Sequence, residues 1–156
     1  MGRTLEAMRD RARHNATTNR RHHMELAQTY ESTVYALGAM AFLMLVQILV
    51  ADILGIRFKH TPGAAIGSDH SDPLFRVTRT VANTNESIAV FILATAFCVL
   101  SSASPSLTAI AAWCFVAARV LYALFYYGNL QIFRSITFGI SLLALASLLA
   151  IGAFTG

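Results

Sequence analysis

Charge is what this chain has least of. Asp, Glu, Lys and Arg make up 13% of its 156 residues, where a soluble domain carries about a quarter. Lysine is confined to Lys59, and the charges crowd ahead of Glu31 and then nearly vanish. Cysteine is down to Cys98 and Cys114, which excludes a disulfide framework, and no spacing suits a metal. Both sit in separate apolar runs without a basic neighbour to activate them, so they read as small packing residues. Strict apolar/polar alternation is missing, which excludes a transmembrane β-barrel. Internal repeats and low-complexity tracts are missing too.

What is present is apolar length. Hydrophobic residues make up 56% of the chain and the mean hydropathy is +0.56. Val34 to Ile56, Val81 to Leu100, Leu107 to Tyr127 and Ile136 to Phe154 are each long enough to cross about 30 Å of hydrocarbon as a helix. The breaks are short: Thr61-Pro62-Gly63 through Asp72-Pro73, then Ser101 to Pro105, then Gly128-Asn129. Pro73 and Pro105 stand just ahead of a run, where a missing N–H costs a helix nothing. Connections this short make neighbouring helices antiparallel. The expected fold is an all-α, four-helix up-and-down bundle over residues 33–156, an integral multi-pass membrane protein, preceded by a basic extension over residues 1–32.

That extension carries Arg3, Arg9, Arg11, Arg13, Arg20 and Arg21. It has no signal-peptide apolar core, so the run from Val34 reads as a retained span. Glu6 stands where a myristoylation signal needs Ser or Thr, and Glu6, Asp10 and Glu25 set the arm apart from a mitochondrial presequence. Two readings remain, a solvated extension or a docking segment for anionic headgroups or a protein partner. His14, His22 and His23 read as surface residues, with no metal and no nucleic-acid role. The preference for Arg and Ala suits a bacterial inner membrane, with a mitochondrial or other organelle membrane as the alternative.

On a helix of about 100° per residue, Arg76, Arg79, Asn83 and Glu86 fall within an arc of roughly 80°. Ionisable groups at membrane depth cost at least a few kcal/mol each and normally face a partner, a cavity or a ligand. Arg119, Tyr122 and Tyr126 fall within roughly 60° on the third span. Antiparallel packing brings both stripes, Arg134, and Arg57 with Lys59 to one mouth of the bundle, and the basic residues near the span ends favour a cytoplasmic mouth. Guanidiniums match carboxylates or phosphates, and a carboxylate suits an amine. A ligand with two carboxylates, an amine and a thiol satisfies the set, and glutathione is such a molecule. The bland alternative is that Arg79 and Glu86 neutralise each other and fix helix register.

The segment from Arg79 through Asn83 to Glu86 resembles the R-x-x-x-N-x-x-E signature of the MAPEG superfamily, the membrane-associated proteins of eicosanoid and glutathione metabolism. Ala118-Arg119-Val120-Leu121-Tyr122 with Tyr126 and Gly128, and Arg134-Ser135-Ile136-Thr137, are similar to motifs of its microsomal prostaglandin E synthase branch. The resemblance runs from about Val34 to the C-terminus. It implies a homotrimer with glutathione as co-substrate between subunits. Asn83 and Glu86 would take its polar backbone, with Glu86 on the amine. Arg79 and Arg119 would hold carboxylates or order the site, and Tyr126 would contact the tripeptide, with Arg76 and Tyr122 beside them. Arg134 would stabilise the thiolate with Ser135 adjacent, and Arg57 aligns with a glutathione-contacting arginine. Ala82 and Phe138 depart from that branch, which has arginine and tyrosine there.

Two functions follow. One is a glutathione transferase or peroxidase acting on lipophilic electrophiles or lipid hydroperoxides. The alternative is a non-catalytic lipid-binding or structural subunit of a larger membrane assembly. An ion or proton pathway is disfavoured, because the far halves of the spans offer no polar continuation.

Overall fold

A computed structural model describes residues 28–61 and 63–156. The arginine-rich arm with its histidines, and Pro62, lie outside the described residues. Ser32–Gly156 forms one compact unit.

Four helices follow in order: α1 Glu31–Arg57, α2 Pro73–Leu100, α3 Pro105–Tyr127 and α4 Gln131–Phe154. All four are long and apolar enough to cross a membrane, and the described residues contain no strand. The second helix begins at Pro73, well before the apolar run from Val81, because Asp72 starts it. The Asp72 carboxylate accepts from the Leu74 amide at 2.9 Å and Pro73 occupies the first turn, a favourable N-cap with proline at N1. Those extra two turns carry Arg76 and Arg79.

The helices α1, α2 and α3 end in the same way. His60 N donates to Gly55 O and Lys59 N to Ile56 O, at 2.9 and 3.1 Å. Ala103 N with Ser102 N, and Leu130 N with Asn129 N, repeat the pattern onto Cys98 and Val99, and onto Phe125 and Tyr126. This is the Schellman arrangement. Its left-handed position is filled by Lys59 (φ 53°), Ser102 (φ 56°) and Asn129 (φ 58°) rather than by glycine. After α2 and after α3 the chain therefore reverses within a few residues, which returns the next helix beside the last, whereas α1 is joined to α2 by the longer loop over residues 58–72.

The core is built by α2, α3 and α4. Phe91 and Phe115 stack with centroids 4.4 Å apart, surrounded by Ala94, Cys98, Ala112 and Leu148. Cys98 packs among them and donates its thiol to Leu148 O at 3.1 Å, whereas Cys114 is exposed on α3. Ala36 and Met40 bring α1 onto the same core, and the Trp113 indole donates to Ser32 O at 3.1 Å. Gln47, deep on α1, is buried with both amide atoms unpartnered among the described residues. At the far end of the bundle the Thr155 hydroxyl accepts from Ser104 N at 3.1 Å, fastening the end of α4 to the start of α3.

Candidate functional site

The loop between α1 and α2 is set by its own short-range hydrogen bonds. Asp69 accepts from the Ser71 amide at 2.8 Å and from its hydroxyl at 2.6 Å. The Ser71 hydroxyl, then its amide, holds the Asp69 carboxyl below its ordinary range. Arg76, one turn into α2, donates from Nη1 to His70 O and Ser71 O, both at 2.8 Å, and from Nε to Tyr127 O at 3.2 Å. One guanidinium thereby ties the loop to the end of α3. His70 is carried inward, its ring edge-on to Phe75 with centroids 5.0 Å apart and tilted on Tyr126 at 5.9 Å.

The third helix supplies a ladder. Arg119 lies 4.8 Å above the Tyr122 ring, and Tyr122 meets Tyr126 with centroids 5.6 Å apart. The spacing of three and four residues stacks these side chains along one helix face. Arg134, in the first turn of α4, lies 4.4 Å over the Tyr126 ring, a cation–π contact. Its Nη1 is 3.4 Å from His70 Nδ1, and the Tyr126 hydroxyl is 3.4 Å from the same nitrogen. On α2, Arg79 reaches Glu86 at 3.4 Å and the Asn83 amide donates to Glu86 at 3.4 Å. Both contacts are long, and the Arg79 and Glu86 side chains are 48% and 58% exposed, so the pair contributes little by itself.

Between these elements lies a cavity of about 350 Å³ lined by His70, Arg79, Asn83, Tyr122, Tyr126, Arg134, Ser135 and Phe138. The volume is within the range of small-molecule sites, about 300–1,000 Å³. Six residues singled out from the sequence meet there: Arg79, Asn83, Tyr122, Tyr126, Arg134 and Ser135. Glu86 touches Arg79 and Asn83 but sits outside the lining. Arg119 is fully buried behind Tyr122 and donates to Thr84 Oγ1 at 3.2 Å. Its Nε and Nη1 have no partner among the described residues. Arg76 shares the stripe, lies outside the lining and donates from Nε and Nη1 to three carbonyls, which holds the loop. Arg57 is exposed at the end of α1 and lines no part of the cavity. The Ser135 hydroxyl donates to Gln131 O in its own helix at 3.0 Å and presents only lone pairs to a ligand.

Sequence reading missed His70 altogether. It lies in a loop with no periodicity to place it, and its only signal is proximity to the helix start at Asp72-Pro73. Phe138, read only as a departure from a family motif, proves to be an apolar wall opposite Tyr122, with ring centroids 6.2 Å apart. A larger cavity of about 570 Å³ lies beside α1, lined by Asp52, His60 and Thr78 among mainly apolar groups. It gathers none of the cations, so the chemistry points to the smaller one.

The arrangement offers two guanidiniums, two phenols, an imidazole and an amide around a space at one end of a helical bundle. The Asn83 carbonyl oxygen is buried without a partner among the described residues, an acceptor free for a ligand's donor. These features define an integral, multi-pass helical membrane protein with a cationic, aromatic site at one mouth. The chain belongs to the MAPEG family, whose model matches residues 32–154. No curated protein gives a significant match.

Proposed function

We propose that the protein is a glutathione-dependent membrane enzyme, a transferase or peroxidase acting on lipophilic electrophiles or lipid hydroperoxides. The observation that carries this reading is Arg134, a cation at the cavity wall seated over Tyr126 with no carboxylate partner among the described residues. A guanidinium in a partly dehydrated site favours a thiolate over a thiol. Arg79 suits a carboxylate of the tripeptide, and the unpartnered Asn83 oxygen suits its amine or an amide N–H, with Glu86 alongside. Phe138 gives the sulfur end an apolar wall where a substrate from the lipid can lie.

In the transferase reaction, the glutathione S–H loses its proton to solvent and the thiolate held by Arg134 attacks an electrophilic carbon. A C–S bond forms, and the leaving group departs or, in an addition, the displaced electron pair takes up a proton. Arg57, exposed and outside the cavity, would complete the site of an adjacent subunit in a homotrimer. The motifs at Arg119–Tyr122 and Arg134–Thr137 support a reading nearest the microsomal prostaglandin E synthase branch, while Ala82 and Phe138 argue for a different lipophilic substrate. A bacterial inner membrane is the proposed location, with the mouth facing the cytoplasm.

The test is ultraviolet difference absorbance of the detergent-purified protein titrated with glutathione near neutral pH. A saturable thiolate band that Arg134→Ala reduces at least about tenfold, with binding retained, is the expected result. Absence of glutathione binding at millimolar concentration would reject the enzyme and favour the lipid-binding or scaffolding alternative. The Ser135 hydroxyl, turned to its own helix, is the feature that favours that alternative.

A further inference from the structure

Arginine carries donors only, so a guanidinium beside an imidazole nitrogen fixes which nitrogen is bare. Arg134 Nη1 lies 3.4 Å from His70 Nδ1, which places the lone pair on Nδ1 and the ring proton on Nε2, a tautomer assigned from its partners. The Tyr126 hydroxyl reaches the same lone pair at 3.4 Å. Contacts of this length orient more than they bind. Arg134 is thus held between two faces: the Tyr126 ring below at 4.4 Å and the His70 nitrogen beside it.

The imidazole is itself secured from behind. Arg76 takes the carbonyls of His70 and Ser71 at 2.8 Å each, Asp69 takes both donors of Ser71, and Phe75 packs edge-on against the ring. We propose that His70 is a positioning residue for Arg134, its bare Nδ1 steering the guanidinium toward the sulfur of the bound thiol. The inference rests on the glutathione reading above and deepens it by adding a residue from the loop to a site otherwise made by helices. A long arginine side chain has many rotamers, and the entropy of that freedom stands against fixing it. A site that needs the cation within reach of one sulfur therefore gains from an acceptor that does not move.

The charged and titratable groups around this point are Arg76 and Arg79 from α2 with Glu86 outside it, Tyr122 and Tyr126 from α3, Arg134 from α4, and His70 with Asp69 from the loop. Among the described residues, His70 alone sets a nitrogen lone pair against the Arg134 guanidinium.

The experiment uses the full chain and follows the thiolate band of bound glutathione against pH, with the dissociation constant measured alongside. His70→Leu keeps bulk and removes the acceptor, whereas His70→Asn keeps an acceptor near the Nδ1 position. The expected result is a midpoint for thiolate formation raised by about one pH unit in the Leu variant, restored in the Asn variant, with affinity changed less than about threefold in both. An unmoved midpoint in His70→Leu, or an equal rise in both variants, would overturn the positioning role and leave His70 as a loop anchor. Loss of the fold in the Leu variant shifts the decision to His70→Asn against His70→Gln, which carries its acceptor near the Nε2 position. Equal midpoints in those two would then reject the proposal. Absence of a thiolate band in the unmodified protein would instead remove the proposed function, and this inference with it.

Discussion

Asn83 shows how a single side chain can be worth more to a ligand than to the fold. Its Nδ2 makes one long bond to Glu86 at 3.4 Å, while its Oδ1 is buried without a partner among the described residues. An unsatisfied buried acceptor costs about 1–3 kcal/mol, and replacing such a group by an apolar one of similar shape is close to neutral or stabilising. Asn83→Leu is therefore expected to leave the melting temperature in detergent unchanged or higher. The same change is expected to weaken glutathione binding by about tenfold, roughly 1.4 kcal/mol, as read by calorimetric titration. A lower melting temperature with unchanged affinity would make Asn83 a structural residue. The stripe of Arg79, Asn83 and Glu86 was legible from helical spacing alone. Arg76 was legible as a member of it but not in its role, because two of its acceptors lie in the preceding loop and the third is Tyr127, far along the chain. Periodicity reports which face a residue occupies, and says nothing of what a loop or a neighbouring helix end presents to it.

At the scale of elements, the ends of the helices hold an unused reserve of stability. The left-handed position after α2 is Ser102 at φ 56°, and an L-residue pays roughly 1–2 kcal/mol there that glycine does not. Glycine's greater freedom in the unfolded chain returns part of the difference. Ser102→Gly is expected to stabilise the protein by about 0.5–1 kcal/mol, visible as a higher melting temperature in detergent. Ser102 is exposed and far from the cavity, so glutathione binding should not change. A lower melting temperature would mean that the Ser102 side chain holds the turn. The turn was predictable from its Ser-rich, proline-terminated sequence. Its Schellman hydrogen bonds were not, because serine gives no sign of a positive φ.

At the scale of the whole molecule, the bundle sorts its side chains by what lies beside them rather than by water. Cys98 is fully buried beneath α4, whereas Cys114 is exposed on α3. One equivalent of N-ethylmaleimide is expected to react in detergent, at Cys114, with Cys98 reacting only after denaturation. Protection of both thiols would place the outer face of α3 against another subunit, since the chain by itself leaves that thiol open.

The sequence by itself determined the membrane class, the number of helices, their antiparallel order and the end of the bundle where the cations gather. All of these follow from apolar run length and the position of breaks, which are local properties. The tertiary structure alone decided which polar residues converge. It buried Arg119 behind Tyr122, left Arg57 outside, turned Arg76 to the loop and brought His70 against Arg134. The contacts that converge on the cavity run across more than fifty residues of chain, Arg76 to Tyr127 and His70 to Arg134. No local pattern records them, because each is set by how the helices rotate about their axes as they pack.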